Sequence, residues 1–287
     1  MTLHIVIIIA FMVFNIVDYH IDDCRIFLGD NNTLIKSHRI CRNHMITLIG
    51  TGHVFDLSAA LLNIFEEKEP EIIGVELDPQ RYQAILLRNT DSTTYHAAKK
   101  NLPIVYRMLA QFQESLAEDY GVNAGDEMLT AIQYAQSHQL PVAFIDTNAQ
   151  QLFVRMWNTM PFFEKFKLLF SSITGFFVSK KRIEQEMKNY QQNFDSYIQE
   201  IGKKFPTIKH TLIDERNEHM VLKLIALHEK HQRIVACVGD GHVPGISVQL
   251  QEKKIPFETL RLIDLQNYKK LESDGSSAHF SINYKSL

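Results

Sequence analysis

The feature that most constrains the fold is a regular alternation of short apolar runs with amphipathic segments, which begins at Met45. Continuous apolar runs of this length are typical of strands covered on both faces, and their alternation with helical segments indicates a parallel sheet. We therefore predict an α/β fold in which helices flank a mostly parallel central sheet, with a helical insertion over residues 147–205. The predicted strands are Met45–Ile49, Ile72–Leu77, Val142–Asp146, Arg233–Gly239 and a late one over Lys254–Arg261.

The chain divides into three parts at the level of sequence. We predict one domain over residues 45–268, an N-terminal extension over residues 1–44 and a polar tail over residues 269–287. Residues 5–17 are almost wholly apolar, but no Lys or Arg precedes them and no small-residue cleavage site follows. A translation start misassigned upstream of Met45 explains the extension best; a membrane anchor and a cleaved signal are the alternatives.

Charge and cysteine content argue against a nucleic-acid-binding protein and against a disulfide-stabilised one. The formal net charge is −3 and the basic residues are scattered among carboxylates, so no nucleic-acid partner is expected. The three cysteines form no CxxC pair and are odd in number, which fits a reducing compartment rather than a disulfide framework. We predict a cytoplasmic protein, although residues 5–17 leave membrane association open.

Polar side chains stand at the ends of four predicted strands. These residues are His53, Glu76, Asp146 and His242. The carboxyl ends of parallel strands meet at one edge of a sheet, where ligands bind in open α/β folds, so we expect the four side chains to converge. His53 and His242 also close two similar segments, Gly50–His53 and Gly239–His242, each of the form GxGH.

Two imidazoles with one or two carboxylates form the ligand set of a divalent transition metal with an open coordination position. Each residue also has a simpler interpretation. A lone histidine after a glycine turn is usually a turn or packing residue. Glu76 can form a buried ion pair with Arg81 or Arg155, and Asp146 can be the N-cap of the next helix. The repeated GxGH form favours the metal site.

A dense aromatic stretch lies in the predicted helical insertion. It runs from Trp157 to Phe177, and four lysines stand within or just beyond it. An aromatic helix is most often part of a core, and we expect that role here. The alternatives are a lid or subunit contact and, third, contact with a membrane surface.

Four ordered motifs resemble the TraB/PrgY family. They are Gly50–Val54, Val75–Tyr82, Asp214–Met220 and Val238–Ile246. The resemblance extends from Met45 to about Leu262, which is most of the chain. The motif GHVPGI, combined with VELD and ERN, makes it specific.

The resemblance implies a fold related to the erythromycin-esterase and ChaN-like proteins. It also implies the metal site proposed for the Tiki proteases of this family, whose ligands correspond here to His53, His242 and Glu76. The ERN block supplies Glu215 and Arg216, for which we expect a structural or supporting role, as for Arg81. One departure concerns Asp146, because the family tends to have Asp-Arg-Asp where this chain has Asp-Thr-Asn.

These observations predict a metal-dependent peptidase that uses Mn, Co or Zn, with Glu76 as a ligand or general base. The main alternative is a binding module in which the same pocket sequesters a peptide or small molecule without turnover. A scaffold that docks through the aromatic helix is a third hypothesis. The expected partner is a peptide or small-molecule substrate, and self-association into a homo-oligomer is left open.

Overall fold

The computed structural model describes residues 44–52, 57–90, 125–175 and 194–266. In chain order the elements are β1 (Met45–Thr51), α1 (Ser58–Lys68), β2 (Ile72–Val75), α2 (Pro79–Thr90), α3 (Asp126–Ser137), β3 (Val142–Phe144), α4 (Ala149–Thr159), α5 (Phe162–Gly175), α6 (Phe194–Lys204), α7 (Pro206–Lys209), a π-helical turn (His210–Asp214), α8 (Glu215–His228), β4 (Arg233–Gly239), α9 (Val243–Glu252) and β5 (Phe257–Leu260).

The five strands form one parallel sheet in the order β3-β2-β4-β1-β5. This confirms the predicted α/β fold with a parallel central sheet and flanking helices. The relation to erythromycin-esterase and ChaN-like proteins stays a prediction, as do the predicted domain limits. In the register of the sheet, Thr51 of β1 stands beside Gly239 of β4, and Val75 of β2 stands beside Cys237. The carboxyl ends of β1, β2 and β4 therefore lie next to one another.

Alternate side chains of each strand enter two apolar layers, one on each face of the sheet. On one face, Ile49, Ile73 and Val235 pack against α1 and α3. On the other face, the neighbouring residues of the same strands pack against α8 and α9. Burial on both faces explains why the strand sequences are continuous apolar runs.

The helix over Val243–Glu252 is not among the elements predicted from the sequence. Pro244 lies in its first turn, and Val243, Ile246 and Leu250 are buried against the sheet. Proline is well suited to the first turn of a helix because its missing N–H has no partner there in any case. Over the described ranges, no helix combines the length and apolar content needed to cross a bilayer.

We expect Phe65→Ala to lower the free energy of unfolding by about 3–5 kcal/mol, because it empties a large space in the core. Phe65 is fully buried, and its ring lies 4.9 Å from that of Tyr134. Leu62 on the same helix is 40% exposed. Its change to alanine should cost less than about 1 kcal/mol. Urea unfolding of both variants measures the difference, and equal losses would contradict the described packing.

Candidate functional site

Three of the four predicted strand-end residues meet at the carboxyl edge of the sheet. Glu76 directly follows β2, Asp146 lies just beyond β3, and His242 lies just beyond β4. All three are buried, with at most 6% of each residue exposed. Nε2 of His242 stands 3.5 Å from Oε1 of Glu76. His53 lies outside the described residues, so its place at this edge stays a prediction.

Arg216 of α8 links the two carboxylates. Its Nε donates to Oδ1 of Asp146 over 3.0 Å and its Nη2 to Oδ2 over 2.7 Å, while Nη2 also donates to Oε1 of Glu76. Burial by itself lowers the pKa of Arg216, but attraction by Asp146 and Glu76 outweighs it and raises the pKa above its ordinary value. The guanidinium is thus a fixed positive charge between two buried carboxylates.

The ion-pair partner of Glu76 is Arg216, and not Arg81 or Arg155 as predicted. Arg81 contacts Asp146 instead: its Nη1 lies 3.3 Å from Oδ2 of that residue, and 3.5 Å from the backbone carbonyl of Glu76. The N-cap of α4 is Asn148, whose side chain accepts from the backbone N–H of Gln151. Asp146 therefore belongs to the charged cluster at the sheet edge.

A single π-helical turn, His210–Asp214, immediately precedes α8. Such turns are rare and occur often at functional sites, because the wider turn rotates the residues that follow relative to those before it. Here the backbone carbonyl of Leu212 within the turn accepts from Nη1 of Arg216 over 3.4 Å. Glu215 is followed by Arg216 and Asn217, and both of these residues are buried.

Asn217 holds the ring of His242. Its Oδ1 lies 2.7 Å from Nδ1 of His242. This contact turns Nδ1 of His242 toward Asn217 and Nε2 toward Glu76. Nδ2 of Asn217 lies only 2.2 Å from where a Cβ of residue 245 would be, so Gly245 is required for this approach. Asn217 is not among the residues predicted for the site, although it lies in the ERN block.

The backbone at the end of β4 also contacts Glu76. The N–H of Gly239 donates to Oε2, and the N–H of His242 donates to the carbonyl of Gly239 over 2.8 Å, which closes a tight turn. One carboxylate oxygen of Glu76 thus faces the backbone, and the other faces Arg216 and His242.

The two GxGH segments touch through Asp240. The backbone N–H of Asp240 donates to the carbonyl of Thr51 over 2.9 Å. Its carboxylate accepts two hydrogen bonds from Arg261, of 2.8 and 2.7 Å, and a third from the N–H of Leu262. A Cβ at Gly50 would clash with Oδ1 of Asp240, so any larger residue there would displace this carboxylate. The backbone leading to His53 is therefore packed against the loop that carries His242.

Glu215 points away from these groups, toward the surface. It forms ion pairs with Arg155 of α4 and, over 3.4 Å, with His210. His219, one turn further along α8, is half-buried; burial and Lys223 lower its pKa below the ordinary value, against an opposing effect of Asp146. Across the described ranges, no group of three or more His, Cys, Asp or Glu side chains is arranged to hold a metal ion.

We expect Arg216→Met to lower the free energy of unfolding by about 3–5 kcal/mol, because it leaves the buried Glu76 without its arginine partner and Asp146 with Arg81 alone. The matched control is Arg155→Met, which removes an ion pair whose arginine side chain is 57% exposed. That change should cost less than about 1 kcal/mol. Urea unfolding at neutral pH measures both, and a similar loss in the two variants would show that Arg216 is not essential to the fold.

The chain is similar to a described protein family and to one curated relative. Residues 37–258 match the TraB/PrgY/gumN family, a range that contains both GxGH segments, Glu76 and the Glu215–Asn217 block. The uncharacterized protein MJ1365 of Methanocaldococcus jannaschii is 29% identical over 232 residues, which are 78% of this chain and 58% of that protein. The chain thus spans a little over half the length of this relative. Because the family match covers most of its length, the chain belongs to the TraB/PrgY/gumN family.

Proposed function

We propose that this protein is a metal-dependent hydrolase that cleaves a peptide substrate, with His53, His242 and Glu76 around one divalent metal ion. The observation that carries the proposal is the buried approach of Nε2 of His242 to Oε1 of Glu76 at the carboxyl edge of the sheet. The peptide class of the substrate rests on the resemblance to the Tiki proteases.

The two described side chains have the spacing of metal ligands. Two donors that each lie about 2.1 Å from a tetrahedral metal stand about 3.4 Å apart. Nε2 of His242 and Oε1 of Glu76 are separated by 3.5 Å. Nδ1 of His242 is hydrogen-bonded to Asn217. In metal sites, the ring nitrogen of a histidine that does not bind the metal usually makes such a hydrogen bond to a neighbouring acceptor. This donor set fits Mn, Co or Zn.

The third donor in the proposal is His53. The packing of Asp240 on Gly50 and the pairing of Thr51 with Gly239 support its place near His242, because they bring the end of β1 beside the loop after β4.

A bound divalent ion would polarise a substrate carbonyl and lower the pKa of an attacking water. Residues of the chain would orient the metal ligands and supply a base. Asn217 fixes the ring orientation of His242, and Arg216 and the N–H of Gly239 fix the carboxylate of Glu76. Glu76 serves either as a ligand or as the base that takes a proton from the water.

A second candidate is a binding module without turnover. It is favoured by the hydrogen bonds that already occupy Glu76, which accepts from Arg216 and from the backbone of Gly239. A carboxylate held in this way is suited to shaping a pocket, and its charge is balanced by a permanent cation. The two candidates differ in turnover: only the hydrolase releases a cleaved product.

We expect about one Mn, Co or Zn ion per chain in protein purified without a histidine tag, measured by elemental analysis. His53→Ala and His242→Ala should each lose it, because each removes one of three ligands. His138→Ala is the matched control, since that imidazole lies on the surface at the end of α3 with its side chain 46% exposed. Metal-free wild-type protein after reconstitution would refute the hydrolase proposal and leave the binding module.

We also expect Asn217→Ala to weaken metal binding by about 10–100-fold, since it removes the acceptor that orients His242. Asn217→Asp keeps an oxygen acceptor at the same place and should lose less. Competition with a chelator of known affinity measures both variants. Equal affinity in Asn217→Ala and the wild type would show that Asn217 does not position this ring for a metal.

A further inference from the structure

The helix α5 exposes four phenylalanine rings. Phe162, Phe163, Phe166 and Phe170 are 75%, 84%, 60% and 60% exposed. The expectation that the aromatic stretch packs in the core is therefore wrong for these four side chains. At 3.6 residues per turn they fall within an arc of about 100° on the helix surface, so they form one continuous apolar stripe.

The opposite side of α5 is the side that packs on the protein. Glu164 lies about 150° from the centre of the stripe at about 100° per residue, and it is 7% exposed. Its carboxylate accepts from the backbone N–H of Thr207 over 3.0 Å and from the hydroxyl of Thr207 over 2.7 Å. These contacts fix the rotation of the helix, so the phenylalanines face outward.

Lysines flank the stripe on both sides. Lys165 and Lys167 lie about 60° and 40° beyond its two edges at about 100° per residue. Nζ of Lys165 stands 5.5 Å from the ring centre of Trp157, and Nζ of Lys167 stands 5.3 Å from that of Phe205. Glu164 is the one acidic residue in the sequence of α5, and it is turned inward. The outward side of the helix is thus apolar in the middle, and beyond each margin stands a lysine whose ammonium group lies near a ring of a neighbouring element.

We propose that this stripe binds the surface of an anionic phospholipid bilayer. A helix with an apolar face and basic margins lies in the plane of the interface, with its rings among the acyl chains and its ammonium groups at the phosphates. The described helix has 14 residues, about 21 Å, which is too short to cross a bilayer. This function is separate from the proposed metal site.

The charge pattern favours a lipid surface over a second copy of the chain. A symmetric dimer would place the same face against itself. Lys165 and Lys167 would then approach their own counterparts, with no exposed carboxylate on α5 to balance them. Anionic headgroups supply the missing negative charge.

The test is flotation of the full chain with vesicles of phosphatidylglycerol and phosphatidylcholine, compared with vesicles of phosphatidylcholine alone. The wild type should bind the anionic vesicles, more weakly at high salt, and the fluorescence of its single tryptophan, Trp157, should shift to the blue. Phe163→Ser with Phe166→Ser should weaken binding at least about tenfold. Both side chains are exposed, so circular dichroism should show an unchanged fold.

The matched control is Leu222→Ser with Val248→Ser, which removes two exposed apolar side chains from α8 and α9 and should leave binding unchanged. Residues 5–17 are the same in every variant, so a loss confined to the phenylalanine variant reports on α5. Failure of the wild type to bind anionic vesicles would overturn the proposal, as would equal binding by the phenylalanine variant. The proposal would also be overturned if the wild type were a dimer, the phenylalanine variant were a monomer and neither bound vesicles. That result would assign the stripe to self-association.

Discussion

The ion pairs of Arg216 are the interaction on which the site depends. Two carboxylates at the ends of adjacent strands repel each other when buried, and the sheet alone offers them no counter-charge. Arg216 supplies that charge from α8 and so ties this helix to the carboxyl edge of the sheet. Arg216 and Asn217 follow shortly after the π-helical turn and both reach this edge. Adjacent residues of α8 thus serve the charge balance and the orientation of His242.

Much of the fold could be predicted because burial on both faces leaves a clear pattern in the sequence. The apolar run of β4 was predicted with its observed limits, Arg233–Gly239, and β1 extends only two residues beyond its predicted end. The helix α9 could not be predicted in the same way. Pro244 and Gly245 suggest a turn, and their fit to a helix start depends on the sheet that α9 covers.

The strand-end rule correctly predicted that Glu76, Asp146 and His242 converge, because it requires only parallel strands. The partners of these residues could not be found by the same reasoning. Arg216 lies 140 residues after Glu76, and Asn217 lies 25 residues before His242, so no spacing pattern connects them. The prediction that the aromatic stretch packs in the core was wrong for a related reason. Helical spacing shows that the rings share one side of α5, but it does not show whether other residues cover that side.

Asp240 connects the loop that carries His242 to two strands of the sheet, because it contacts Gly50 of β1 and Arg261 just beyond β5. Arg261, just beyond the edge strand β5, donates two hydrogen bonds to the carboxylate of Asp240. That carboxylate occupies the space left free by the missing side chain of Gly50. Hydrogen bonds of Arg261 and Leu262 to Asp240 therefore connect the end of β5 to the loop that carries His242. An edge strand of the described sheet is in this way linked to the most buried of the described histidines.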